Sequence, residues 1–349
     1  MIQGHGDDRY RFQRAIRADF SSNVYAHVDL EPLKAHLKGC LDVIGRYPEP
    51  EPYTLERALA AQLGIDPTAV CVTAGATEAI YLTAHAFQGS RSTILQPTFS
   101  EYADACRMYG HTVERCPVEP GMTSFVTPDL IGGLDSDRTM VWLCNPNNPT
   151  GTVIPRGQLI DAIEAKPATI FVIDQSYGFF TQEPLLSAAE AAGYPNVIQL
   201  HSMTKRYAMP GLRLGYVTAH PQLIEKIRGV RMPWSVNALA VEAGLYLCAH
   251  PETAPIDLPA LLTETQRLRD QLNAIPGLIA EPTQTHFFLC RLASVRAADL
   301  KQRLAEDYGI LIRDASNFEG LDQHCFRIAT QTPDENDLLT DAILTCLSH

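Results

Sequence analysis

The sequence predicts an α/β fold with an open sheet, followed by a small α+β domain. Short apolar runs of strand length alternate with helical patterns over most of the chain, which is typical of sheets built from βαβ units. A polar, proline-bearing stretch at 249–259 interrupts this alternation, and charged helices and short strands follow it. The length of 349 residues is sufficient for one large and one smaller domain.

The expected elements of the first domain follow from the apolar patterns in chain order. Residues 1–30 are polar with scattered aromatic side chains, so they predict an N-terminal arm with little regular structure. Apolar residues at helical spacing predict helices at 30–41 and 54–63, with Thr54 as candidate N-cap of the second. The large domain is expected to span 31–248, with strands at 69–73, 92–96, 139–144, 168–173, 196–200 and 212–217 and with further helices ending at 87 and 248.

The second domain is expected at 249–349, where the elements are shorter. Their alternation suits a small α+β domain. The predicted helices are 261–272, 297–308 and 334–347, and the predicted strands are 286–292, 310–313 and 326–329.

Composition and charge exclude several classes of protein. The chain has 46% hydrophobic and 19% charged residues, as an ordinary globular protein has, and its net charge of -12 argues against binding to nucleic acid. No apolar run reaches the roughly 18 residues of a membrane span and no signal-peptide core is present, so a cytoplasmic protein is expected. Nine cysteines without a C-x-x-C pair predict free thiols, and the histidine spacing predicts no metal site.

One lysine, Lys205, is the first candidate for chemistry because it lies between two strand-like runs. We expect it in a loop at the end of a strand, where ligands bind in open α/β sheets. A single lysine is most often a solvated surface residue. Here the hydroxyls of Ser202 and Thr204 are close in sequence, and Arg213 has the planar fork that grips phosphate. The segment therefore indicates a reactive amine near an anion site.

Other positions at the expected strand ends suit a flat, phosphate-bearing ligand. A strand, a glycine turn and a helix start meet at Gly75, Ala76 and Thr77, where free N–H groups favour an anion, although such turns are common. Phe99 can stack on a heteroaromatic ring, although aromatic side chains more often pack in cores. Asn148 lies in a turn that is denser in proline and asparagine than a surface loop requires.

Three charged residues are expected within strands or at their ends. Asp174 ends a continuous apolar strand, three residues before Tyr177, and a carboxylate buried there needs a partner, since an unpaired one costs on the order of several kcal/mol. A protonated pyridine nitrogen would be such a partner. Arg313 and Arg327 lie in predicted strands, where an inward-facing cation requires an anion and an outward-facing one forms a surface salt bridge. Both alternatives remain open for the two arginines.

The segment from Ser202 to Tyr216 has the pattern S-x-T-K-x-x-x-x-P-G-L-R-L-G-Y. This pattern resembles the lysine segment of the pyridoxal-phosphate (PLP) aminotransferases of fold type I, and the strand-Asp-x-x-Tyr arrangement at Asp174 is similar to the same family. The resemblance covers nearly the whole chain. It implies a large, mostly parallel-sheet domain with helices on both faces, a small α+β domain, PLP as cofactor and a homodimer.

The resemblance also implies a role for each candidate residue. Lys205 would bond the cofactor and carry protons, Asp174 would pair with the pyridine nitrogen, and Tyr177 and Asn148 would donate to the ring oxygen. Phe99 would stack on the ring, and Tyr47 would reach the cofactor phosphate from the partner subunit. The phosphate site would comprise Gly75, Ala76, Thr77, Ser202 and Arg213. The substrate, a small phosphorylated amino acid or amine, would be bound by His5, Asn23, Asn148, Arg313 and Arg327, with Arg327 on its carboxylate.

Two groups within this family fit best. His5–Gly6, residues 232–240 and the segment from 310 to 322 resemble the L-threonine-O-3-phosphate decarboxylases of cobalamin biosynthesis more than the histidinol-phosphate aminotransferases. The resemblance therefore implies a decarboxylase that gives (R)-1-amino-2-propanol O-phosphate. The alternative is a histidinol-phosphate or related aminotransferase that uses 2-oxoglutarate and glutamate.

The chain departs from the family pattern at a few positions. Gln175–Ser176 replaces a usual Glu-Ala, and the phosphate turn lacks the usual Gly-x-Gly form, but neither change removes a needed group. The acidic pair Asp7–Asp8 counts against a phosphorylated substrate, because negative charge weakens phosphate binding. A third class, a cofactor-bearing regulatory protein, would need a DNA-binding module, and the chain has no basic helix-turn-helix stretch.

Overall fold

A computed structural model gives the structure of this protein for residues 6–118 and 139–348. The strands are β1 Ala18–Asp19, β2 Val70–Thr73, β3 Arg91–Gln96, β4 Thr112–Pro117, β5 Thr139–Cys144, β6 Ile170–Asp174, β7 Val197–Ser202, β8 Gly215–Ala219, β9 Leu278–Ala280, β10 Phe287–Leu292, β11 Ile310–Leu311, β12 Arg313–Asp314 and β13 Cys325–Ala329. The α-helices are α1 Glu31–Gly39, α2 Tyr53–Leu63, α3 Ala76–Ala86, α4 Glu101–Met108, α5 Arg156–Ala165, α6 Ala188–Gly193, α7 Met203–Arg206, α8 Pro221–Arg228, α9 Ala238–Ala249, α10 Leu258–Asn273, α11 Ala297–Arg303 and α12 Pro333–Leu347.

The large domain is built on a seven-stranded sheet with the order β2-β8-β7-β6-β5-β3-β4. β8 runs antiparallel to both of its neighbours, and the other neighbouring strands are parallel. Alternate residues of β5 enter different apolar cores: Trp142 packs with α3 and α4, and Val141 and Leu143 pack with α5. Helices therefore cover both faces, and the carboxyl ends of β3, β5, β6 and β7 lie along one edge, where ligands bind in such sheets.

The second domain has an antiparallel sheet with the order β12-β13-β10-β9, and its core includes residues of α10, α11 and α12. The N-terminal arm joins this domain, because β1 pairs with β11 and both Ala18 and Phe20 lie in the same core. We propose the division into an arm at 1–30, a large domain at 31–248 and a small domain at 249–349. The separate apolar cores support this proposal.

Four local predictions were wrong for identifiable reasons. Thr54 does not cap α2, because the helix begins one residue earlier and the Thr54 hydroxyl donates instead to Glu49 Oε1 at 2.6 Å. Lys205 lies in the short helix α7 and not in a loop. β8 begins only at Gly215, because Arg213 takes the left-handed backbone with φ 58°. The expected strand 310–313 is divided between β11 and β12, which belong to different sheets.

Several elements were not predicted from the sequence. β4 was missed because it is an edge strand whose residues are partly or fully exposed, so the strand has no continuous apolar run. The other elements missed are β1, β9, α4, α5, α6 and α8. Of the residues with described structure, none belongs to a helix that is both long and apolar enough to span a membrane. All nine cysteines are free thiols.

Candidate active site

A cavity of about 240 Å³ lies between the carboxyl edge of the large sheet and the small domain. One water molecule needs only ~10–15 Å³ by the same measure, so this space suits a small-molecule ligand. The cavity brings together most of the residues that the sequence analysis singled out. They are Ala76, Thr77, Phe99, Asn148, Asp174, Tyr177, Ser202, Lys205, Arg213, Arg313 and Arg327.

Lys205 reaches the cavity because α7 begins directly after β7. Its Nζ donates a hydrogen bond to the backbone carbonyl of Ser22 at 2.7 Å. Burial, together with the positive charges of Arg327 and Arg213, lowers the pKa of the amine to about 8. A substantial fraction of this amine is therefore neutral near physiological pH, as a nucleophilic lysine requires.

Asp174 is the last residue of β6, and its side chain is buried at 4% exposure. Its Oδ2 accepts a hydrogen bond from the Tyr102 hydroxyl at 2.7 Å, and its Oδ1 accepts one from the backbone N–H of Ser176 at 2.8 Å. Burial raises the pKa of this carboxyl above its usual range, and the hydrogen bonds oppose that shift. Within the described ranges, no salt bridge within 4 Å includes Asp174, so a cationic ligand group would compensate its burial.

An anion site is formed where β2 ends and α3 begins. Gly75 is the N-cap of α3 with φ 88°, and a Cβ at this position would lie 2.6 Å from Nη2 of Arg213. Glycine therefore allows the guanidinium to lie against the helix N-terminus. Gly215 is equally constrained, because a Cβ there would lie 2.7 Å from the backbone N of Ala76. The N-terminal N–H groups of α3 and the Arg213 guanidinium together suit a phosphate.

Two arginines of the small domain face the same cavity. Arg313 and Arg327 are directly opposite each other on β12 and β13, and both are about 95% buried. This burial excludes the surface salt bridge that the sequence left open. Burial and the charge of Arg327 lower the pKa of Arg313 to about 9, and burial lowers that of Arg327 to about 10. Two like charges in this arrangement repel, so an anion between them would stabilise the site.

Of the described candidate residues, Gly75, Asn23 and Tyr47 do not line this cavity. Asn23 is fully buried just behind it, and neither atom of its side-chain amide has a well-aligned hydrogen-bond partner within the described residues. Tyr47 is 86% exposed on the surface, where its ring lies 5.5 Å from that of Trp234. His5 lies outside the described residues.

The acidic pair of the arm is compensated by basic residues. Asp8 is buried and accepts from the Lys301 amine with both carboxylate oxygens, at 2.7 and 2.8 Å. Asp7 lines the cavity, but its carboxylate pairs with Arg9 at 2.5 Å. These ion pairs reduce the negative charge that counted against a phosphorylated substrate in the sequence analysis.

Two groups at the site carried no sequence signal. Tyr102 is fully buried and reaches Asp174 across 72 positions of sequence, so its role as a hydrogen-bond donor could not be seen from local pattern. The contact of Ser22 with Lys205 is made by a backbone carbonyl, which every residue has. Only the tertiary structure could identify either of them.

Comparison with known proteins identifies the family of the chain. The sequence profile described as Aminotransferase class I and II matches residues 17–343. Threonine-phosphate decarboxylase of Salmonella typhimurium is 30% identical over 334 residues, which cover 95% of this chain and 91% of that protein. A histidinol-phosphate aminotransferase of Caldanaerobacter subterraneus is 29% identical over 304 residues, which cover 86% of this chain and 84% of that protein.

A solved structure agrees with this result. The crystal structure of L-threonine-O-3-phosphate decarboxylase from Porphyromonas gingivalis matches with a TM-score of 0.88 and 40% identity, over 95% of this chain and 99% of that one. The predicted fold-type-I architecture is therefore confirmed. Enzymes of this family use PLP, and the site suits it: the Gly75 turn admits a phosphate, and Asp174 is a buried carboxylate with no salt bridge to any described residue. The chain belongs to the class I and II aminotransferase family and is a PLP-dependent enzyme.

Proposed function

We propose that the protein is a PLP-dependent decarboxylase that converts L-threonine O-3-phosphate into (R)-1-amino-2-propanol O-phosphate. The observation that carries this proposal is the opposed pair of buried arginines, Arg313 and Arg327, beside Lys205. Arg213 supplies a separate cation for the cofactor phosphate, so two cations remain for a substrate with both a carboxylate and a phosphate. The decarboxylase relatives from Salmonella typhimurium and Porphyromonas gingivalis support this choice.

We propose that the cofactor is held by residues near the carboxyl ends of β3, β5, β6 and β7 and by the turn before α3. Lys205 would bond it covalently, Asp174 would accept from the pyridine nitrogen, and Tyr177 and Asn148 would donate to the ring oxygen. Phe99 would pack on the ring. Its phosphate would be bound by Gly75, Ala76, Thr77, Ser202 and Arg213.

The bound cofactor supplies an electron sink that allows a bond to the substrate Cα to break heterolytically. The orientation in which the protein holds the substrate would select the bond that breaks. We propose that Arg327 would bind and orient the substrate carboxylate, and that Arg313, with His5, would bind the substrate phosphate. The Cα–carboxylate bond then breaks, carbon dioxide leaves, and the Lys205 amine delivers a proton to Cα.

An aminotransferase acting on histidinol phosphate is the second candidate. The Caldanaerobacter relative supports it, and the same cofactor residues would serve. In that case Lys205 would remove the Cα proton, and the two arginines would bind the substrate phosphate and the carboxylates of 2-oxoglutarate in turn. The two activities differ in the bond that breaks, which is directly measurable.

The pH dependence of cofactor attachment follows from the pKa of Lys205. Only the neutral amine attacks an aldehyde, and the pKa of about 8 predicts that attachment to the apoprotein accelerates about tenfold per pH unit below 8 and levels off above it. The rate is measured from the absorbance of PLP after mixing with apoprotein at a series of pH values. A profile that instead rises up to the ordinary lysine pKa of 10.5 would contradict the assignment.

The anion site predicts a specific effect of Gly75→Ala. The added Cβ would lie 2.6 Å from Arg213 Nη2 and would displace the guanidinium, so we expect PLP affinity to fall at least about tenfold, ~1.4 kcal/mol. Gly64→Ala is a matched control, because Gly64 also has a positive φ, 69°, but has open space around it. That variant is expected to lose some stability and to bind PLP normally. Equal PLP affinity in both variants would exclude this phosphate site.

We also propose a homodimer in which Tyr47 completes the site of the partner. Six large apolar side chains are exposed on two neighbouring segments, which are joined by a hydrogen bond from the Trp234 backbone N–H to the Pro50 carbonyl at 2.8 Å. They are Leu41, Ile44, Tyr47, Tyr53, Met232 and Trp234. An apolar patch of this kind is typical of a protein interface.

The interface predicts separable effects for two variants. Ile44→Asp is expected to increase the monomer fraction in sedimentation experiments, because it places a charge in the apolar patch. Tyr47→Phe keeps the ring and removes the hydroxyl, so it should leave the dimer intact and lower PLP affinity. A monomeric wild-type enzyme with full activity would exclude the shared site.

The proposed reaction is tested by incubating the PLP-loaded protein with L-threonine O-3-phosphate without any keto acid. Carbon dioxide and the amine phosphate should form together, and L-threonine should react far more slowly because it lacks the phosphate that Arg313 would bind. Arg313→Gln should reduce the preference for the phosphorylated substrate. Conversion of histidinol phosphate with 2-oxoglutarate, without any carbon dioxide from L-threonine O-3-phosphate, would establish the second candidate.

A further inference from the structure

A short segment of the arm, Ser21–Asn23, contacts two cations of the site through its backbone. The carbonyl of Ser22 accepts from the Lys205 amine at 2.7 Å. The carbonyl of Ser21 accepts from the Arg327 guanidinium. We call this segment the strap. The position of the strap determines where Lys205 and Arg327 direct their polar groups. We propose a catalytic role for Lys205 and a substrate-binding role for Arg327.

A buried histidine, His286, lies behind the strap. It is fully buried, and neither of its ring nitrogens has a well-aligned hydrogen-bond partner within the described residues. Its ring packs on Phe180 at 3.9 Å between centroids and lies against the backbone of Asn23. Burial, together with the charges of Lys205 and Arg327, lowers the pKa of His286 to about 3. The imidazole is therefore neutral and offers one N–H donor.

The backbone around His286 fixes this arrangement. The N–H of Thr330 donates to the His286 carbonyl at 2.7 Å, and the N–H of the preceding residue, Ala329, donates to the Phe20 carbonyl at 2.9 Å. The residue before β10 and the residue before the strap are thus bound to two consecutive residues at the end of β13. The backbone of Ala329 and Thr330 therefore anchors the strap and also holds His286 next to it.

A histidine at position 286 is unfavourable if stability is the only consideration. A buried imidazole without a well-aligned partner is destabilising relative to an apolar side chain of similar size. Buried polar groups of this kind require a physical explanation. The positions of Asn23 and Lys205 beside it provide one.

We infer that His286 is a positioning residue whose imidazole holds the strap at Asn23, so that the Ser22 carbonyl meets the Lys205 amine and the Ser21 carbonyl meets Arg327. This inference rests on the proposed role of Lys205 as the cofactor lysine. Loosening the strap would admit water to Lys205. Since burial is the largest cause of its lowered pKa, that pKa would rise.

The test uses His286→Leu, which removes the N–H donor and keeps an apolar side chain in the core. The expected variant is as thermally stable as the wild type, captures PLP about tenfold more slowly at pH 7, and has the midpoint of its capture profile shifted upward by about one pH unit. Its KM for substrate should also rise, because Arg327 is displaced with the strap. His286→Asn retains an amide donor and should restore part of the capture rate.

His111→Leu is the matched control, because His111 is also a buried histidine but both of its ring nitrogens are hydrogen bonded, to Ser92 and to the Ala84 carbonyl, each at 2.8 Å. That variant should lose thermal stability and capture PLP with the wild-type profile. Wild-type capture and KM in both His286 variants would overturn the inference. If Lys205→Ala captures PLP as the wild type does, the proposed function itself fails, which is a distinguishable result.

Discussion

Replacing Lys205 with alanine is expected to abolish turnover and covalent cofactor attachment together. Proton transfer by a positioned side chain alone contributes roughly 10²–10⁴-fold, so we expect a loss of at least ~10³-fold in kcat. The half-buried amine with its pKa near 8 is the described nucleophile at the cavity, and its loss cannot be replaced by Arg213 or Arg327, which stay protonated. Turnover is measured as amine phosphate formed, and attachment by reduction with borohydride and mass analysis.

A second lysine provides the control for this variant. Lys226 on α8 packs over the ring of Phe87 at 4.0 Å, away from the cavity, so Lys226→Ala should retain turnover and labelling. Borohydride should label the tryptic peptide that contains Lys205 in both the wild type and the control. Label on another lysine, or persistent turnover in Lys205→Ala, would refute the assignment.

Asp174→Asn is expected to have the second-largest effect. Removing one charge of a buried, hydrogen-bonded ion pair costs about 2–5 kcal/mol, which corresponds to roughly 30- to 4,000-fold in kcat/KM. The amide is nearly isosteric and neutral, and burial already disfavours the carboxylate. The apoprotein should therefore keep its Tm while the loaded enzyme loses activity.

Tyr102→Phe distinguishes the effect of the Asp174 charge from the effect of the hydrogen bond that Asp174 accepts. This variant keeps the carboxylate and removes only the 2.7 Å hydrogen bond to Oδ2, which is worth about 0.5–1.5 kcal/mol. We expect an activity loss of roughly two- to twelvefold. If Tyr102→Phe is as damaging as Asp174→Asn, the charge of Asp174 is not the essential property.

The cofactor side of the site was largely predictable because each of its residues follows a recognisable local pattern. Asp174 ends an apolar strand, Gly75 lies between a strand and a helix, and Lys205 and Arg213 share one continuous segment. The carboxyl ends of neighbouring parallel strands meet at one edge of the sheet, so strand order alone brings these residues together. Their individual roles remain predictions.

The substrate side was harder to predict because its geometry depends on the meeting of two domains and the arm. The sequence could place Arg313 and Arg327 in strands, but their direct opposition follows from the register of β12 and β13. The compensation of Asp8 by Lys301 joins positions 293 apart. His286 was predicted only as the start of a strand, since neither its burial nor its lack of a partner is visible in one sequence.

The fate of the carboxyl carbon tests the central claim most directly. The loaded enzyme would be given L-threonine O-3-phosphate labelled in that carbon, without keto acid, and followed through many turnovers. We predict one labelled carbon dioxide for each amine phosphate formed, with the cofactor remaining in its aldehyde form. Retention of the label in a keto acid, with a single equivalent formed as the cofactor converts to its amine, would contradict the decarboxylase and identify an aminotransferase.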